Sequence, residues 1–395
     1  MKKAILLTGG YSTRLYPLTL KRPKVLLPVA GKPVMQYLVE MLKDSGIKEI
    51  TVGLNVKQKA IQKYFGNGEK YGVKIDYCFE ESANDSNKLG GLGAINYVIE
   101  KKKIKEECLV VGGDNFVYGL DLKHMKHEHP ASIALYNLKD KNLVEQFGIG
   151  IVDKNKRITA FQEKPKVEQA KSKLASTLIY RLSEEFVNQH LPEYIKEKHK
   201  KGEKADRPGD LWQHYVEKIP LHGLVFEGIW GDIGTAETYI ETNKLAMELL
   251  IKNGSDEQVI KGKNVEIGEN AVIRGPTIIE DNCKIGDNCI IGPYVHLMKG
   301  TEISKDSTVS GSILFENTKV GEASRIYDAI IDYNTSIEKN CKIDDLVIIG
   351  HDCVIGERTR VLSRSKIWPF IKIKANSIVE GELSLDLDKS ELLET

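Results

Sequence analysis

Lys284-Ile285-Gly286-Asp287-Asn288-Cys289-Ile290-Ile291-Gly292-Pro293 decides the fold of one half of the chain. Ile285 and Ile291 stand six residues apart, and each is followed by glycine. Working outward, the same step reaches Ile267, Ile273 and Ile279 on one side and Leu297, Ile303 and Val309 on the other. After shorter steps the pattern resumes at Leu314, Val320, Ile326 and Ile331, then runs through Ile337, Ile343, Ile349, Ile355 and Val361. Neither an α-helix nor a sandwich strand repeats every six residues. A triangular coil does, with one aliphatic side chain pointing inward per side, so the spacing predicts a left-handed parallel β-helix. Gly268, Gly286, Gly292, Gly321, Gly350 and Gly356 each follow an inward residue, where a tight corner suits glycine. Cys283, Cys289, Cys341 and Cys353 each lie four residues after an inward aliphatic, in a slot otherwise held by Ala, Ser or Thr. They read as small core fillers.

Upstream the period changes. Lys3 to Thr8 reads as a buried strand, Met35, Leu38, Val39 and Leu42 as a helix face, and Ile50, Val52 and Leu54 as a strand. A helix near 56–66, a strand near 73–79, a helix over 93–100 and a strand at Leu109-Val110-Val111 follow. This alternation predicts an α/β domain: a Rossmann-like mixed, mostly parallel sheet with helices on both faces. The expected division is 1–252 for this domain and 258–385 for the β-helix, with Asn253-Gly254-Ser255-Asp256 as linker. The whole chain of 395 residues is 41% hydrophobic and 29% charged, with net charge +1. Nothing in that balance suggests a nucleic-acid or membrane partner. The apolar start ends at Gly9-Gly10, so a buried strand is favoured over a leader, and a cytoplasmic location is expected.

Chemistry concentrates at strand ends. Gly9-Gly10 directly follows the first strand, where backbone N–H groups can approach phosphate oxygens. Arg14 can add a bidentate grip. Lys24, between Pro23 and an apolar run, should be held rigidly. The combination Gly9-Gly10-Tyr11-Ser12-Thr13-Arg14-Leu15 with Pro23-Lys24 resembles the signature of the nucleoside-diphosphate-sugar pyrophosphorylases, and later motifs arrive in that family's order. The resemblance implies transfer of a nucleotidyl group from a nucleoside triphosphate (NTP) to a sugar 1-phosphate. It implies a nucleotide site of Thr8, Gly9, Gly10, Ser12, Thr13, Gly90 and Gly91. It implies a sugar-phosphate site of Gly148, Glu163 and Lys164, and Mg²⁺ held by Asp114 and Asp232. Arg14 and Lys24 would act catalytically, since two anionic phosphates must meet and charge builds on the leaving pyrophosphate. The tail, closing with Lys366-Ile367-Trp368-Pro369, resembles that of mannose-1-phosphate guanylyltransferases, and such coils often trimerise, so a homo-oligomer is expected.

Three departures from the family pattern stand out, and the last two touch base and sugar recognition. Ser12 stands where the third glycine belongs. Leu89-Gly90-Gly91-Leu92-Gly93-Ala94 replaces G-T-A-G-A, after a polar insert at 82–88, and Ser176-Thr177-Leu178-Ile179-Tyr180 replaces N-A-G-I-Y. No Gln stands where thymidylyl and uridylyl enzymes read the base; Glu80-Glu81 occupy that neighbourhood. The balance leans to GTP with mannose 1-phosphate, with dTTP or UTP and glucose 1-phosphate close behind. Two alternatives stand beside this reading: an added acetyltransferase using His351 or His296 of the coil as base, and a non-catalytic regulatory subunit. His124, His127 and His129 are read as a solvated surface element rather than a metal site.

Overall fold

The computed structural model describes residues 2–9, 12–55, 58–80, 89–252 and 258–384, so Gly10, Tyr11, Glu81, the insert at 82–88 and the linker at 253–256 lie outside the described residues. The chain forms two compact units: Met1–Tyr11 with Val34–Trp230, and Ser12–Pro33 with Gly231–Thr395.

The first unit is built on a nine-stranded sheet. β1 (Lys3–Leu7), β2 (Glu49–Asn55), β3 (Lys74–Glu80) and β4 (Cys108–Gly112) are parallel, in the order β4-β1-β2-β3. α1 (Val34–Asp44), α2 (Lys59–Phe65) and α3 (Gly90–Lys102) fall between these strands in the chain. Each begins and ends within a few residues of the expected position. α1 buries Val34, Met35, Leu38, Val39 and Leu42, the 3.6-residue stripe visible in the sequence. β5 (Ala131–Asn137), β6 (Gly148–Val152), β7 (Ile158–Glu163), β8 (Leu174–Leu182) and β9 (Leu221–Phe226) complete the sheet. β8 is antiparallel to both β4 and β5. Its register slips between Ser176 and Tyr180, and Leu178 there takes φ 57°. α4 (Leu191–Lys200) and α5 (Pro208–Tyr215) complete this unit's α-helices among the described residues. Their apolar faces join a core containing Phe186, Tyr194, Trp212 and Tyr215.

Arg181 of β8 is 1% exposed. Its guanidinium donates to Glu107 and to the carbonyls of Lys126, His127 and His129. The segment 124–129 is therefore more than a solvated element. Its backbone wraps a buried cation, and the His129 ring stacks on the buried His222 at 5.6 Å.

The second unit contains the coil. Three parallel sheets of eight, seven and seven strands run along it, as a triangular parallel β-helix requires. Ile285 stacks under Ile303, then Val320, Ile337, Ile355 and Ile373, one per turn. These spacings show turns of 18 residues shortening to 17 in mid-coil, which explains the shorter steps in the sequence. The inward residues from Ile279 to Ile367 are buried, and the four coil cysteines are 0–2% exposed. All six cysteines are free. Ile267 departs from expectation: in the first turn, with no coil beneath it, it is 37% exposed.

The corner chemistry also differs from expectation. Of the six corner glycines named above, only Gly292 has a left-handed backbone. That conformation falls two residues beyond the glycine, on Asn270, Asn288, Ala323, Asp352 and Arg358, mostly the side chains that tolerate it. The glycines are needed for close approach instead. A Cβ on Gly286 would lie 2.6 Å from the backbone nitrogen of Lys305 in the next turn.

α6 (Ala236–Lys252) lies along one sheet of the coil, tied by Tyr294 Oη donating to Glu248 and by the Lys244–Asp328 pair. Outward residues of that sheet, including His296, Ile313 and Ile330, are fully buried.

Candidate functional site

In the first unit, the carboxyl ends of β1, β2, β3 and β4 open onto a cavity of about 290 Å³. Successive connections run to opposite sides of β1, first to β2 and later back to β4. This is the reversal point at which open α/β sheets bind ligands. Gly9, Gly53, Asn55, Glu80, Gly90, Gly91, Gly112, Asp114, Tyr97 and Leu178 are among the lining residues.

Thr8 and Gly9 follow β1. Thr8 is buried, and its Oγ1 donates to the Gly53 carbonyl at 2.8 Å. Gln58, also buried, braces the end of β1. Its Nε2 donates to the Thr8 carbonyl, and its Oε1 accepts from the Asn55 N–H. Sequence reasoning missed Gln58, because a lone Gln before a short helix carries no motif. Gly9 leaves open space around its Cα, as a backbone meeting a phosphate requires.

Gly90 and Gly91 open α3. Gly90 has φ 71°, and a Cβ there would overlap the Asp206 side chain. The Gly91 N–H is already used: it donates to the Asp206 carbonyl at 3.0 Å. Gly91 therefore lines the cavity through its shape rather than through a spare donor.

Asp114 follows β4 at the cavity wall, next to Gly112. Leu178 occupies the same wall in its left-handed conformation, where a glycine would be unstrained.

Gly148, Glu163 and Lys164 come together at the ends of β6 and β7. The Lys164 N–H donates to the Phe147 carbonyl, and Lys164 takes φ 47° with its side chain exposed. Glu163 is held between two glycines. A Cβ on Gly148 would lie 2.9 Å from its Oε2, and a Cβ on Gly209, in the first turn of α5, would overlap that same oxygen. Burial pushes the Glu163 carboxyl above its ordinary range, with Lys164 opposing the shift. Gly209 gave no signal in the sequence, since Pro-Gly at a helix start is ordinary.

The second unit carries Ser12, Thr13, Arg14, Lys24 and Asp232. Ser12 adopts φ 51° and ψ 41°, so the serine keeps the left-handed turn that the family's third glycine would give freely. Thr13 and Arg14 form the short turn that follows, both exposed. Lys24 Nζ lies 3.8 Å from Asp232 Oδ1, with the lysine side chain only 13% exposed. Gly234 sits beside both Asp232 and Arg14: a Cβ there would be 2.8 Å from the Asp232 carboxylate and 3.4 Å from Arg14 Nη2.

For a metal, Asp114 and Asp232 offer hard oxygens. Among the described residues no group of three or more His, Cys, Asp or Glu is gathered around one point. Asp114 belongs to the first unit and Asp232 to the second. Each is the kind of ligand a hard divalent cation takes, one or two carboxylates at a time, with phosphate oxygens and water completing its shell.

Comparison with known proteins agrees with this architecture. The family model described as "Nucleotidyl transferase" matches residues 3–248, and one described as "GMPPB C-terminal domain" matches residues 273–383. The UTP–glucose-1-phosphate uridylyltransferase of Synechocystis sp. is 30% identical over 260 residues, covering 64% of this chain and 65% of that protein. The "Bifunctional protein GlmU" of Methanocaldococcus jannaschii is 32% identical over 274 residues, covering 69% and 59%. The chain thus spans less than two thirds of the length of these relatives. A crystal structure of a putative glucose-1-phosphate thymidylyltransferase from Bacillus anthracis, in complex with a sucrose, superposes with a TM-score of 0.53 at 27% identity. It covers 62% of this chain and 95% of that one.

Proposed function

The chain belongs to the nucleotidyl transferase family, and from that premise we propose that it transfers a nucleotidyl group from an NTP to a sugar 1-phosphate, giving a nucleoside-diphosphate sugar and pyrophosphate. The observation that carries this reading is the cavity at the carboxyl ends of β1 to β4, glycine-lined and bounded by Asp114. We assign nucleotide binding to Thr8, Gly9, Gly10, Ser12, Thr13, Gly90 and Gly91, sugar-phosphate binding to Gly148, Glu163 and Lys164, and the two domains to 1–252 and 258–385.

In this reaction a phosphate oxygen of the sugar 1-phosphate attacks the α-phosphorus. The bond from that phosphorus to the β-phosphate oxygen breaks, and pyrophosphate leaves with the electron pair. No enzyme nucleophile is needed; the protein supplies positive charge and position. Arg14 holds the leaving phosphates. Lys24, fixed by its pairing with Asp232, faces the α-phosphate and the incoming phosphate. Lys164 neutralises the sugar phosphate. Glu163 accepts hydrogen bonds from sugar hydroxyls, and Gly148 lets the sugar approach the backbone. Asp114 and Asp232 are the carboxylates for a divalent cation, Mg²⁺ in this reading, which when bound would neutralise phosphate charge and template the displacement.

We favour GTP and mannose 1-phosphate as substrates, on the tail's resemblance to mannose-1-phosphate guanylyltransferases and on Glu80 at the cavity wall. The coil is assigned to homo-oligomer assembly. His351 and His296 are 3% and 0% exposed, so neither presents a ring nitrogen to an incoming acyl group. Among the described residues no helix is long and apolar enough to cross a membrane.

The test is pyrophosphate release with Mg²⁺, crossing GTP, dTTP, UTP, CTP and ATP against mannose, glucose and N-acetylglucosamine 1-phosphates. Fastest turnover of GTP with mannose 1-phosphate supports the full reading. A different fastest pair overturns only the substrate choice. Silence across the grid from folded protein overturns the activity.

A further inference from the structure

The tail motif Lys366-Ile367-Trp368-Pro369 has no role in the chemistry above, yet it is where the coil meets the segment 12–33. Within the second unit that segment bears Arg14 and Lys24. Apart from its short turns it makes one two-stranded pairing, Pro28–Val29 with Lys32–Pro33. Such a segment has little to fix it from within.

Contacts from the coil and α6 hold it along its length. Lys366 Nζ donates to the main-chain carbonyl of Arg14 at 3.0 Å. Trp368 is 1% exposed and forms a small apolar cluster with Leu20, with the Tyr16 ring edge-on at 5.9 Å. Trp368 is itself oriented by its indole N–H, which donates to Glu382 at 2.8 Å. The Arg22 guanidinium lies over the Phe315 ring at 4.6 Å and pairs with Glu316 at 3.5 Å. Near the end of the segment, Tyr239 Oη donates to the Pro28 carbonyl at 2.7 Å, and Asn243 Oδ1 accepts the Ala30 N–H at 2.8 Å. Ile367 between the two motif residues is fully buried in the coil, so Lys366 and Trp368 project from a fixed strand.

The geometry points to a function for the coil beyond assembly: we infer that Lys366 and Trp368 are positioning residues that hold the Arg14 segment in its phosphate-binding conformation. Lys366 fixes the carbonyl of the very residue that grips the leaving phosphates. Trp368 packs on Tyr16 and Leu20, which lie between Arg14 and Lys24. This inference rests on the nucleotidyl-transfer reading.

The test uses the full chain and three variants, Lys366→Met, Lys366→Arg and Trp368→Phe, assayed by pyrophosphate release with Mg²⁺ and the best substrate pair. Lys366→Met removes one exposed donor and leaves the coil core untouched, so its melting temperature should match wild type. Its kcat/KM for the NTP should fall at least tenfold, while KM for the sugar 1-phosphate stays within twofold. Lys366→Arg should restore most of the loss. Trp368→Phe keeps an apolar ring but shortens it and removes the bond to Glu382, and should show the same NTP-specific loss. Hydrogen exchange over residues 12–33 should quicken in Lys366→Met without change in the coil. NTP kinetics and exchange both at wild-type levels in Lys366→Met would overturn the positioning role. Equal losses toward both substrates would also overturn it. An inactive wild-type chain, by contrast, would remove the underlying reading, and the exchange measurement would still report whether the coil orders the segment.

Discussion

Gly209→Ala is the most informative single substitution at the proposed sugar site. A methyl group at residue 209 would overlap Glu163 Oε2 and lie 2.7 Å from Glu163 Cδ and 3.3 Å from its Cβ. The carboxylate cannot stay where it is. Glu163 must rotate out, and its hydrogen bonds to sugar hydroxyls are lost. A hydrogen bond to a charged group contributes about 1.5–3 kcal/mol. The kcat/KM for the sugar 1-phosphate should therefore fall roughly 10- to 150-fold. Stability should change little. Ala is favoured over Gly in a helix by about 1 kcal/mol, which offsets an overpacking cost of about 1–3 kcal/mol. KM for the NTP should not move. The assay is pyrophosphate release at saturating NTP over a sugar-phosphate titration, beside Glu163→Gln as reference. Wild-type kcat/KM for the sugar phosphate in Gly209→Ala would refute the reasoning about how Glu163 is held.

Other outcomes follow from the same structure. Arg181→Met strips a buried cation from Glu107 and three backbone carbonyls and should cost about 3–5 kcal/mol in urea unfolding; a loss below about 1 kcal/mol would contradict the role given to segment 124–129. Burial, aided by the neighbouring His129, pushes the His222 imidazole down to about 4. The neutral ring is thus favoured in the fold, so stability should fall as pH drops from about 6.5 toward 4, by about 3 kcal/mol at most. His222→Leu should flatten that part of the profile, and an unchanged slope would argue against it. All six cysteines are buried, with Cys353 and Cys108 raised to about 12 by burial, so a thiol reagent at pH 8 should label none until the chain unfolds.

The coil was the most legible part of the molecule, because a period of six forces one inward residue per side whatever the turns contain. Five of the six corner glycines were read for the wrong reason. Sequence shows which residue is small, but whether it is needed for φ or for the next turn's backbone depends on a neighbour about 18 positions away. Ile267 fits the same pattern yet is exposed, since the pattern does not say where stacking begins. The parallel strands and the helices between them were readable from local periodicity. The conformations of Ser12 and Leu178 were not. Each replaces a family glycine while keeping a left-handed backbone, and only surrounding contacts can impose that. Gln58, Gly209 and the Lys366–Arg14 contact were invisible for a shared reason. Each acts on a partner 50, 46 or 352 positions away, and no local motif marks such a meeting.

The most direct test of nucleotidyl transfer follows the oxygen atoms. The chain, Mg²⁺, NTP and a sugar 1-phosphate labelled with ¹⁸O in its phosphate are incubated together, and the products are weighed by mass spectrometry. Attack by the sugar phosphate on the α-phosphorus predicts every labelled oxygen in the nucleoside-diphosphate sugar and none in pyrophosphate. Label in pyrophosphate or free phosphate, or hydrolysis of the NTP with the sugar phosphate untouched, would contradict the account.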